Sequence, residues 1–313
     1  MKKYLFSILL SIFFLSSQAQ ESQTAYNFLR LPVSAHGAAL GGENITLIED
    51  DPAMAFANPA LLASVSDKTI GLNYMNYMSG ANFGSVSFNK IIKKVTVGGA
   101  IEYIDYGKMK EVDANNTQTG EFAARDIAVQ GMMSYELAKN FVCGINMKFI
   151  TSYIGDYNSL AFGVDLGINY FDPEREWSLS AVAKNLGGQL KAYEEDFDKM
   201  PIDLQLGVSK RLLHTPFRLH ATLGDLTHWN YKFIDHASAG VDVIFEQFWL
   251  GAGYNFRRAH EMRIYGEDDD ESNHGAGITL GAGMSLERFK LNLSYAKYHV
   301  SSNSFMVSLA YSL

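Results

Sequence analysis

Alternation of large apolar residues with small or polar residues dominates the chain from Thr69 to its last residue. In residues 160–170, every second residue is large and apolar, and the residues between them are Ala, Gly, Asp and Asn. A period of two indicates a β-strand, because successive side chains of a strand point to opposite faces. The same pattern returns in residues 275–286 and 304–313. These segments predict strands with one face of large apolar side chains and one face of small or polar side chains.

About fourteen such segments follow one another, and they alternate between short and long connections. The predicted strands cover residues 69–78, 82–90, 94–103, 122–135, 140–151, 159–170, 176–185, 201–210, 216–224, 237–245, 248–257, 275–286, 289–298 and 304–313. An even number of strands with short turns at one end and longer loops at the other is typical of bacterial outer-membrane barrels. We therefore predict an all-β fold, a transmembrane antiparallel β-barrel of about 14 strands over residues 68–313, with its long loops facing the cell surface.

A soluble β-sandwich is the alternative, because its strands also alternate apolar and polar faces. In this chain the face without large apolar residues is rich in glycine and serine rather than in lysine and glutamate. A sandwich would expose that face to water, whereas a barrel can turn it towards a lumen. Closure also removes the unpaired strand edges that hydrocarbon does not tolerate. The composition of the strands favours the membrane barrel.

The first 19 residues have the features of a signal peptide for export. Lys2 and Lys3 precede an apolar stretch over residues 4–15, and Ser17-Gln18-Ala19 forms a small-residue cleavage site. The apolar stretch is too short for a membrane-spanning helix, which needs about 20 residues. We expect the mature chain to begin at Gln20 and to reside in the outer membrane, in contact with its lipid.

Charge limits the classes of partner. The whole chain carries 26 basic and 34 acidic residues. Removal of Lys2 and Lys3 leaves 24 against 34, a net charge of −10. Nucleic-acid binding requires an excess of basic residues for the phosphates, so no nucleic-acid partner is expected.

Between the signal peptide and the first strand, residues 20–67 contain two closely spaced helix starts. Asp51-Pro52 and Asn58-Pro59-Ala60 each place an N-cap residue before a proline. Helices of one or two turns are unstable alone in water, so they must pack against another part of the protein. We predict that this segment is a helical plug inside the lumen. A cap on the periplasmic side is the alternative.

Motifs of enzymes and metal sites are weak in this sequence. Two Ser-x-x-Lys matches, at Ser87 and Ser294, fall in predicted strands, where serine and lysine point to opposite faces. The histidines lack the spacing of metal ligands, and the acidic run 267–271 lacks the alternating ligands of an EF-hand loop. We therefore expect neither an enzyme nor a bound cofactor or metal, and we interpret the acidic run as a solvated loop.

Four blocks of sequence resemble a known family. They are TAYNFLRLPVSAHGAALGGENITLIEDDPAMAFANPALL (24–62), AKNLGGQLKAY (183–193), MPIDLQLGVSKRL (200–212) and HTPFRL (214–219). These blocks are similar to the PorQ family, FadL-like and PorV-related outer-membrane barrels of the type IX secretion system. The resemblance implies a role beside PorU-, PorV- and PorZ-like proteins, in which the barrel tethers the PorZ-like surface protein. It also implies support for secretion of cargo proteins and for their attachment to lipopolysaccharide.

If the tether hypothesis is right, the contacts with the partner should lie on the long loops. Four aromatic residues of those loops are candidates: Tyr193, Trp229, Tyr231 and Phe233. The alternative is that they lie at the membrane interface, where aromatic residues are common. A second hypothesis for the whole protein is a FadL-like transporter of hydrophobic small molecules. That hypothesis predicts an apolar pocket beneath the plug and a lateral opening in the wall, and the tether hypothesis predicts neither.

Overall fold

A computed structural model describes residues 24–42, 44–115, 117–228, 230–265, 271–272, 275–299 and 302–313. The predicted signal peptide, residues 1–19, lies outside the described residues, as do Trp229 and most of the acidic run 267–271. Over these ranges, no helix has both the length and the apolar character needed to cross a bilayer.

Fourteen antiparallel strands of the described chain close into a barrel, in which β1 pairs with both β2 and β16. The first eleven strands of the barrel are β1 Thr69–Asn76, β2 Asn82–Ile92, β3 Val95–Val112, β4 Gln118–Ala138, β5 Phe141–Ile154, β6 Tyr157–Asp172, β7 Trp177–Lys191, β8 Asp203–Arg211, β9 Phe217–Leu223, β10 Ala237–Ile244 and β11 Phe248–Asn255. The last three are β14 Ile278–Leu286, β15 Phe289–His299 and β16 Ser302–Ser312. Strands β12 Ile264–Tyr265 and β13 Glu271–Ser272 form a separate small ladder. The prediction of a closed barrel of fourteen strands is confirmed.

The two faces of the wall differ as the alternation predicts. On β1, Leu72 and Tyr74 point outwards and are 48% and 51% exposed, whereas Asn73 between them is 6% exposed. Large apolar side chains cover the outer face of the other strands in the same way, for example Phe149 on β5 and Leu250 on β11. An outer face of this kind suits contact with lipid, and the buried inner face is mostly small or polar.

Three strands are longer than the sequence predicts by five residues or more. β3 continues to Val112, beyond its predicted end at residue 103, and β4 begins at Gln118, ahead of its predicted start at residue 122. β7 continues to Lys191, beyond its predicted end at residue 185. The lipid-facing apolar pattern stops near Tyr103, but the backbone ladder between β3 and β4 continues to the pair Val112 and Gln118. Periodicity detects the part of a strand that lies in hydrocarbon, and it misses a ladder that continues into water.

Ahead of β1, the described N-terminal segment contains four short helical turns. They are the 3₁₀ helices Asn27–Arg30 and Pro59–Ser64 and the α-helices Ala35–Ala39 and Met54–Ala57. Most of this segment is buried, including all of helix Ala35–Ala39. Its apolar residues belong to the same core as inward-facing residues of the strands, such as Phe83, Ile104 and Ile150.

Candidate functional site: the barrel lumen

The Asn58-Pro59-Ala60 motif contacts the inner wall of the barrel. Asn58 caps the 3₁₀ helix Pro59–Ser64, because its side-chain oxygen accepts a hydrogen bond from the Ala60 N–H at 3.0 Å. Its side-chain amide donates to the Ile45 carbonyl oxygen at 3.0 Å and to the Ser180 Oγ atom of β7 at 3.2 Å. The Asn58 side chain therefore joins its own turn, a second part of the segment and the wall.

Glycines of the wall allow this close approach. A Cβ atom at Gly144 of β5 would overlap the peptide group between Pro59 and Ala60, and one at Gly167 of β6 would overlap the Asn58 side chain. On the other side of the barrel, a Cβ atom at Gly240 of β10 would lie 2.9 Å from the Leu40 Cβ atom. The small residues of the inner face thus give the N-terminal segment the space that it occupies.

The Asp51-Pro52 motif is built differently from an ordinary helix start. The Asp51 Oδ1 atom accepts from the Ala53 N–H at 2.8 Å, and the α-helix begins at Met54, two residues after Pro52. The intervening backbone forms tighter turns, in which the Met54 N–H donates to the Asp51 carbonyl oxygen. The second carboxylate oxygen, Oδ2, is buried without a hydrogen-bond partner. Burial raises the pKa of Asp51 to about 6.

His36 anchors the first α-helix to the opposite wall. Its Nε2 atom lies 2.9 Å from the Asp242 Oδ2 atom of β10, and its Nδ1 atom lies 2.8 Å from the Glu49 Oε1 atom. The ring also stacks on Trp249 with centroids 3.4 Å apart and planes 5° from parallel. Arg218 of β9 pairs with Asp242 at 2.6 Å and with Glu49 at 3.2 Å.

These charges change the acidity of the groups in the segment. Burial favours the neutral form of both Glu49 and His36. The attraction between them outweighs burial, so the pKa of Glu49 falls to about 2 and the pKa of His36 rises. Each side chain therefore favours the charged form of the other, which makes the contact an ionic one.

A second group of charged side chains lies on the inner wall between β3 and β8. Lys148 pairs with Asp165 at 2.8 Å and donates to the Asn185 Oδ1 atom at 2.8 Å. Asn185 has a φ of 59°, and it lies at a register shift between β6 and β7. The backbone N–H of Asn185 donates to Asp165 at 2.7 Å, so the irregular part of the wall is hydrogen-bonded.

Between this wall and the N-terminal segment lies a cavity of about 40 Å³. Charged side chains contribute to its lining, among them Glu102, Lys148, Lys184 and Asp203. A water molecule needs roughly 10–15 Å³ of such volume, so the cavity has room for a few water molecules and none for a hydrocarbon ligand. The space beside the segment is small, and apolar side chains such as Leu29, Met54 and Phe56 line it together with the charged ones.

The charged residues of the lumen are not expected from the sequence. The pattern predicts an inner face of small and mostly uncharged residues, and the structure places Lys148, Asp165, Arg218 and Asp242 there. The signal was present, because each of these residues occupies a polar position of the period-two pattern. Pairing with each other, and with His36 and Glu49, is what makes charges acceptable on a buried face.

At the end of the barrel that carries the long connections, Asp225 joins the N-terminal segment to two loops. It accepts a hydrogen bond from Arg30 at 3.1 Å and also pairs with Arg257 and His228. Although Asp225 is buried, the nearby Arg30 and Arg257 lower the pKa of its carboxyl group. Thr24 forms a β-bridge with Lys199 at the same end. The segment therefore begins at the long-loop end and runs to β1 at the short-turn end.

The aromatic loop residues proposed as partner contacts lie in different environments. Tyr193 is partly buried, and its hydroxyl donates to the Ser152 hydroxyl of β5. Tyr231 is 36% exposed and lies against His228, His236 and Arg257. Phe233 is 73% exposed. Tyr193 lies between β7 and β8, whereas Tyr231 and Phe233 share the loop between β9 and β10, and the role of all three as contacts stays a prediction.

The fold has relatives among solved structures. The toluene transporter TodX of Pseudomonas putida is 12% identical over 90% of this chain and 96% of its own, with a TM-score of 0.59. The monoaromatic hydrocarbon channel CymD is 12% identical over 92% and 98% of the two chains, with a TM-score of 0.57. A FadL homologue of Pseudomonas aeruginosa is 13% identical over 89% and 98%, with a TM-score of 0.54. This chain has a FadL-like barrel fold.

At these identities the likeness concerns the fold alone. No protein-family model matches the chain, and no curated protein sequence matches it. The three similar structures are described as a transporter, a channel and a FadL homologue, and none of them is described as an enzyme.

Proposed function

We propose that this chain is a closed outer-membrane barrel that holds a PorZ-like surface protein of the type IX secretion system at the membrane. In that role it works beside PorU- and PorV-like proteins and supports secretion of cargo and its attachment to lipopolysaccharide. The observation that carries the proposal is the filled lumen. The N-terminal segment contacts wall residues on both sides of the barrel, and the cavity beside it has a volume of only about 40 Å³.

A lumen that is filled by the N-terminal segment, which ion pairs hold to the wall, suits an anchoring role. Closing the lumen with a packed segment makes the barrel rigid and leaves its loops as the part available to a partner. Asp225 fastens two of these loops to the segment through Arg30 and Arg257. The four sequence blocks that resemble the PorQ family supply the type of partner, and the usual orientation of outer-membrane barrels puts the long loops outside the cell.

The second candidate function is transport of hydrophobic small molecules, and the comparisons favour it over the first. TodX and CymD are described as a toluene transporter and a monoaromatic hydrocarbon channel. Transport by this chain would require the N-terminal segment to move, because the cavity of about 40 Å³ is too small for such a molecule. The ladder between β6 and β7 is one place where the register of the wall shifts.

One purification separates the two functions. The barrel, tagged in a long loop, is isolated from native outer membranes, and both its protein partners and its extractable small molecules are identified by mass spectrometry. The anchor hypothesis expects a PorZ-like protein in an amount comparable to that of the barrel. Recovery of fatty acid or another hydrocarbon without a surface secretion component would overturn it and support transport.

A control variant ties the result to the barrel itself. Asp225→Asn keeps the shape of the side chain but removes the charge that joins Arg30 and Arg257, so it should loosen the loops without removing the barrel. If the surface partner is held by those loops, its recovery should fall in this variant. Asp105→Asn, which alters a more exposed ion pair on β3, should leave recovery unchanged.

A further inference from the structure

An apolar groove crosses the outer, lipid-facing side of the wall between β4 and β8. It has a volume of about 460 Å³, and its lining is almost entirely apolar. Two neighbouring rows of outward side chains form its two sides. Cross-strand pairing places Tyr135, Cys143, Ile168 and Ala181 in one row. It places Met133, Ile145, Leu166, Ala183 and Leu204 in the other row.

The groove is deep because several of these outward positions carry small side chains. Leu166 and Ile168 stand out from the wall and are 46% and 52% exposed. Cys143, Ala181 and Ala183 point to the same side of the wall but are half-buried between their larger neighbours. The groove therefore has raised sides and a recessed floor, which distinguishes it from the rest of the lipid-facing surface.

Backbone forms the floor of the groove where Gly144 and Gly167 pair across β5 and β6. On the lumen side of these glycines lie the Pro59–Ala60 peptide group and the Asn58 side chain, both nearer than a Cβ atom would allow. The wall is therefore only one backbone thick between the N-terminal segment and the lipid. It is nevertheless closed, because β5 and β6 pair without a register shift. The groove is a depression in the wall and not a lateral opening.

The groove climbs obliquely through the membrane. Cys143 is the third residue of β5 and lies near the short-turn end, whereas Leu204 is the second residue of β8 and lies near the long-loop end. Five strands spaced about 4.8 Å apart give the groove a length of about 19 Å. The hydrocarbon core is about 30 Å thick, so an acyl chain that crosses one leaflet extends over about 15 Å. The groove has the length and the direction of one acyl chain.

We propose that this groove binds one acyl chain of a phospholipid from the periplasmic leaflet. The end at Cys143 opens beside the β4–β5 turn, where Glu136 and Lys139 are both exposed. Short turns of outer-membrane barrels face the periplasm, and the periplasmic leaflet consists of phospholipid. A headgroup with a phosphate and an ammonium group finds an opposite charge for each in Lys139 and Glu136. The inference is independent of whether the barrel anchors a protein or transports a molecule.

Charge at the other end of the groove disfavours a lipopolysaccharide of the outer leaflet. The end at Leu204 lies beside the connection between β7 and β8, in which four of the five residues 194–198 are acidic. These carboxylates would repel the phosphates of lipopolysaccharide. The periplasmic leaflet is therefore the source that the charges favour.

Packing explains why such a lipid would stay with the protein. An empty groove leaves the small side chains and the glycine floor without partner atoms, and the dispersion contacts are then lost. An acyl chain in the groove contacts the floor and both rows at once, whereas a chain on the remaining surface contacts the protein on one side only. We therefore expect one phospholipid to be retained when the surrounding lipid is removed by detergent.

Filling the groove with a side chain tests the site directly. Ala181→Phe and Ala183→Leu each place a larger side chain in the groove, on the outer face where nothing in the lumen is disturbed. Ala252→Phe is the matched control, because Ala252 is also half-buried and pairs with the exposed Leu280 on the outer face of β11, outside the groove. Each barrel is purified in mild detergent, its folding is checked by heat-modifiable gel mobility, and its bound lipid is identified by native mass spectrometry. We expect about one phospholipid per barrel in the wild type and the control, and at least tenfold less in the two filled variants.

A second readout measures the effect of the lipid on stability. Wild type and Ala181→Phe are stripped of lipid, and dioleoyl phosphatidylethanolamine is then added back. The unfolding temperature should rise in the wild type and stay constant in Ala181→Phe, in which the phenyl ring already fills the groove. An equal rise in both would overturn the inference. So would a wild type that retains no phospholipid, lipopolysaccharide in its place, equal retention in the filled variants and the wild type, or an equal loss in Ala252→Phe.

Discussion

Gly144 on β5 lies directly against the peptide group that joins Pro59 to Ala60 in the N-terminal segment. A Cβ atom at position 144 would overlap backbone atoms, which cannot rotate away as the end of a long side chain can. The packing of the segment against the wall is therefore sensitive to a single methyl group added at position 144.

We expect Gly144→Ala to displace residues 58–62 from the wall while leaving the barrel inserted. The displaced segment opens a path for water, so the variant should conduct ions in planar bilayers where the wild type does not. Gly131→Ala is the matched control, because a Cβ atom at Gly131 of β4 would meet nothing within 4 Å. Equal conductance of Gly144→Ala and Gly131→Ala would contradict the packing argument.

Asp242 is the second test, because it is buried and the side chains of one arginine and two histidines converge on it. Arg218, His36 and His220 all lie within ion-pair distance of its carboxylate. Asp242→Asn keeps the shape but leaves Arg218 and His36 without their main counter-charge. Removing one partner of a buried ion pair costs about 3–5 kcal/mol, so the unfolding temperature of the barrel should fall clearly.

The matching control for Asp242 is Asp105→Asn. Asp105 pairs with Arg125 on the outer face of the barrel, where both side chains are partly exposed and an ion pair contributes about 0–1 kcal/mol. The unfolding temperatures of the two variants, measured by gel mobility, should differ by many degrees. Similar unfolding temperatures would mean that the charges around His36 do not hold the segment.

Asp51 makes the N-terminal segment sensitive to pH. Its pKa of about 6 in the folded protein exceeds its ordinary value of 3.8, so the folded state holds the proton more tightly than the open state. The stability of the segment is therefore highest at low pH and falls as the pH rises towards 6, by at most about 3 kcal/mol. The contribution of Glu49 is gained between about 2 and 4.5, and that of His36 is lost above 6.5.

Hydrogen exchange of residues 53–57, corrected for the intrinsic pH dependence, measures this effect. Exchange in the wild type should accelerate between pH 4.5 and 6.5. Asp51→Asn keeps an oxygen to accept from the Ala53 N–H and carries no charge at any pH, so its exchange should accelerate less than that of the wild type over this window and should be slower at pH 6.5. A wild type without pH dependence over this window would rule out ionisation of Asp51 as the cause.

Most of the fold could be predicted from periodicity, since lipid on one side and a packed lumen on the other impose a period of two on every strand. The alternation around Leu72, Asn73 and Tyr74 is one case. The parts that failed have physical reasons. Beyond Tyr103 the strand leaves the hydrocarbon and the apolar signal ends, although the ladder continues to Val112.

The interior of the lumen could be predicted less well. Proline and its preceding Asp or Asn point to short turns that need support, as at Asn58. Which wall residues give that support depends on the register of strands distant in sequence, such as Ser180 and Asp242. The pairing of His36 with Asp242 joins residues more than 200 positions apart, and no local pattern contains that information.

Phe233 provides the last prediction, because its exposed ring fits either a partner or the membrane. The strands on both sides of its loop are short: β9 has 7 residues and β10 has 8. A strand needs about 9–11 residues to cross the hydrocarbon, so the loop between β9 and β10 begins at or below the outer edge of the lipid. The position of Phe233 therefore favours the membrane interface over contact with a partner.

Brominated lipids distinguish the two environments. The emission of a tryptophan introduced by Phe233→Trp should be quenched when the barrel is reconstituted with lipids brominated near the headgroup. Val112→Trp at the tip of the β3–β4 hairpin is the matched control, because Val112 is also exposed, at 51%, and lies beyond the membrane. Its added emission should not be quenched. Quenching of neither tryptophan, together with loss of the surface partner in Phe233→Ser, would instead make Phe233 a contact residue.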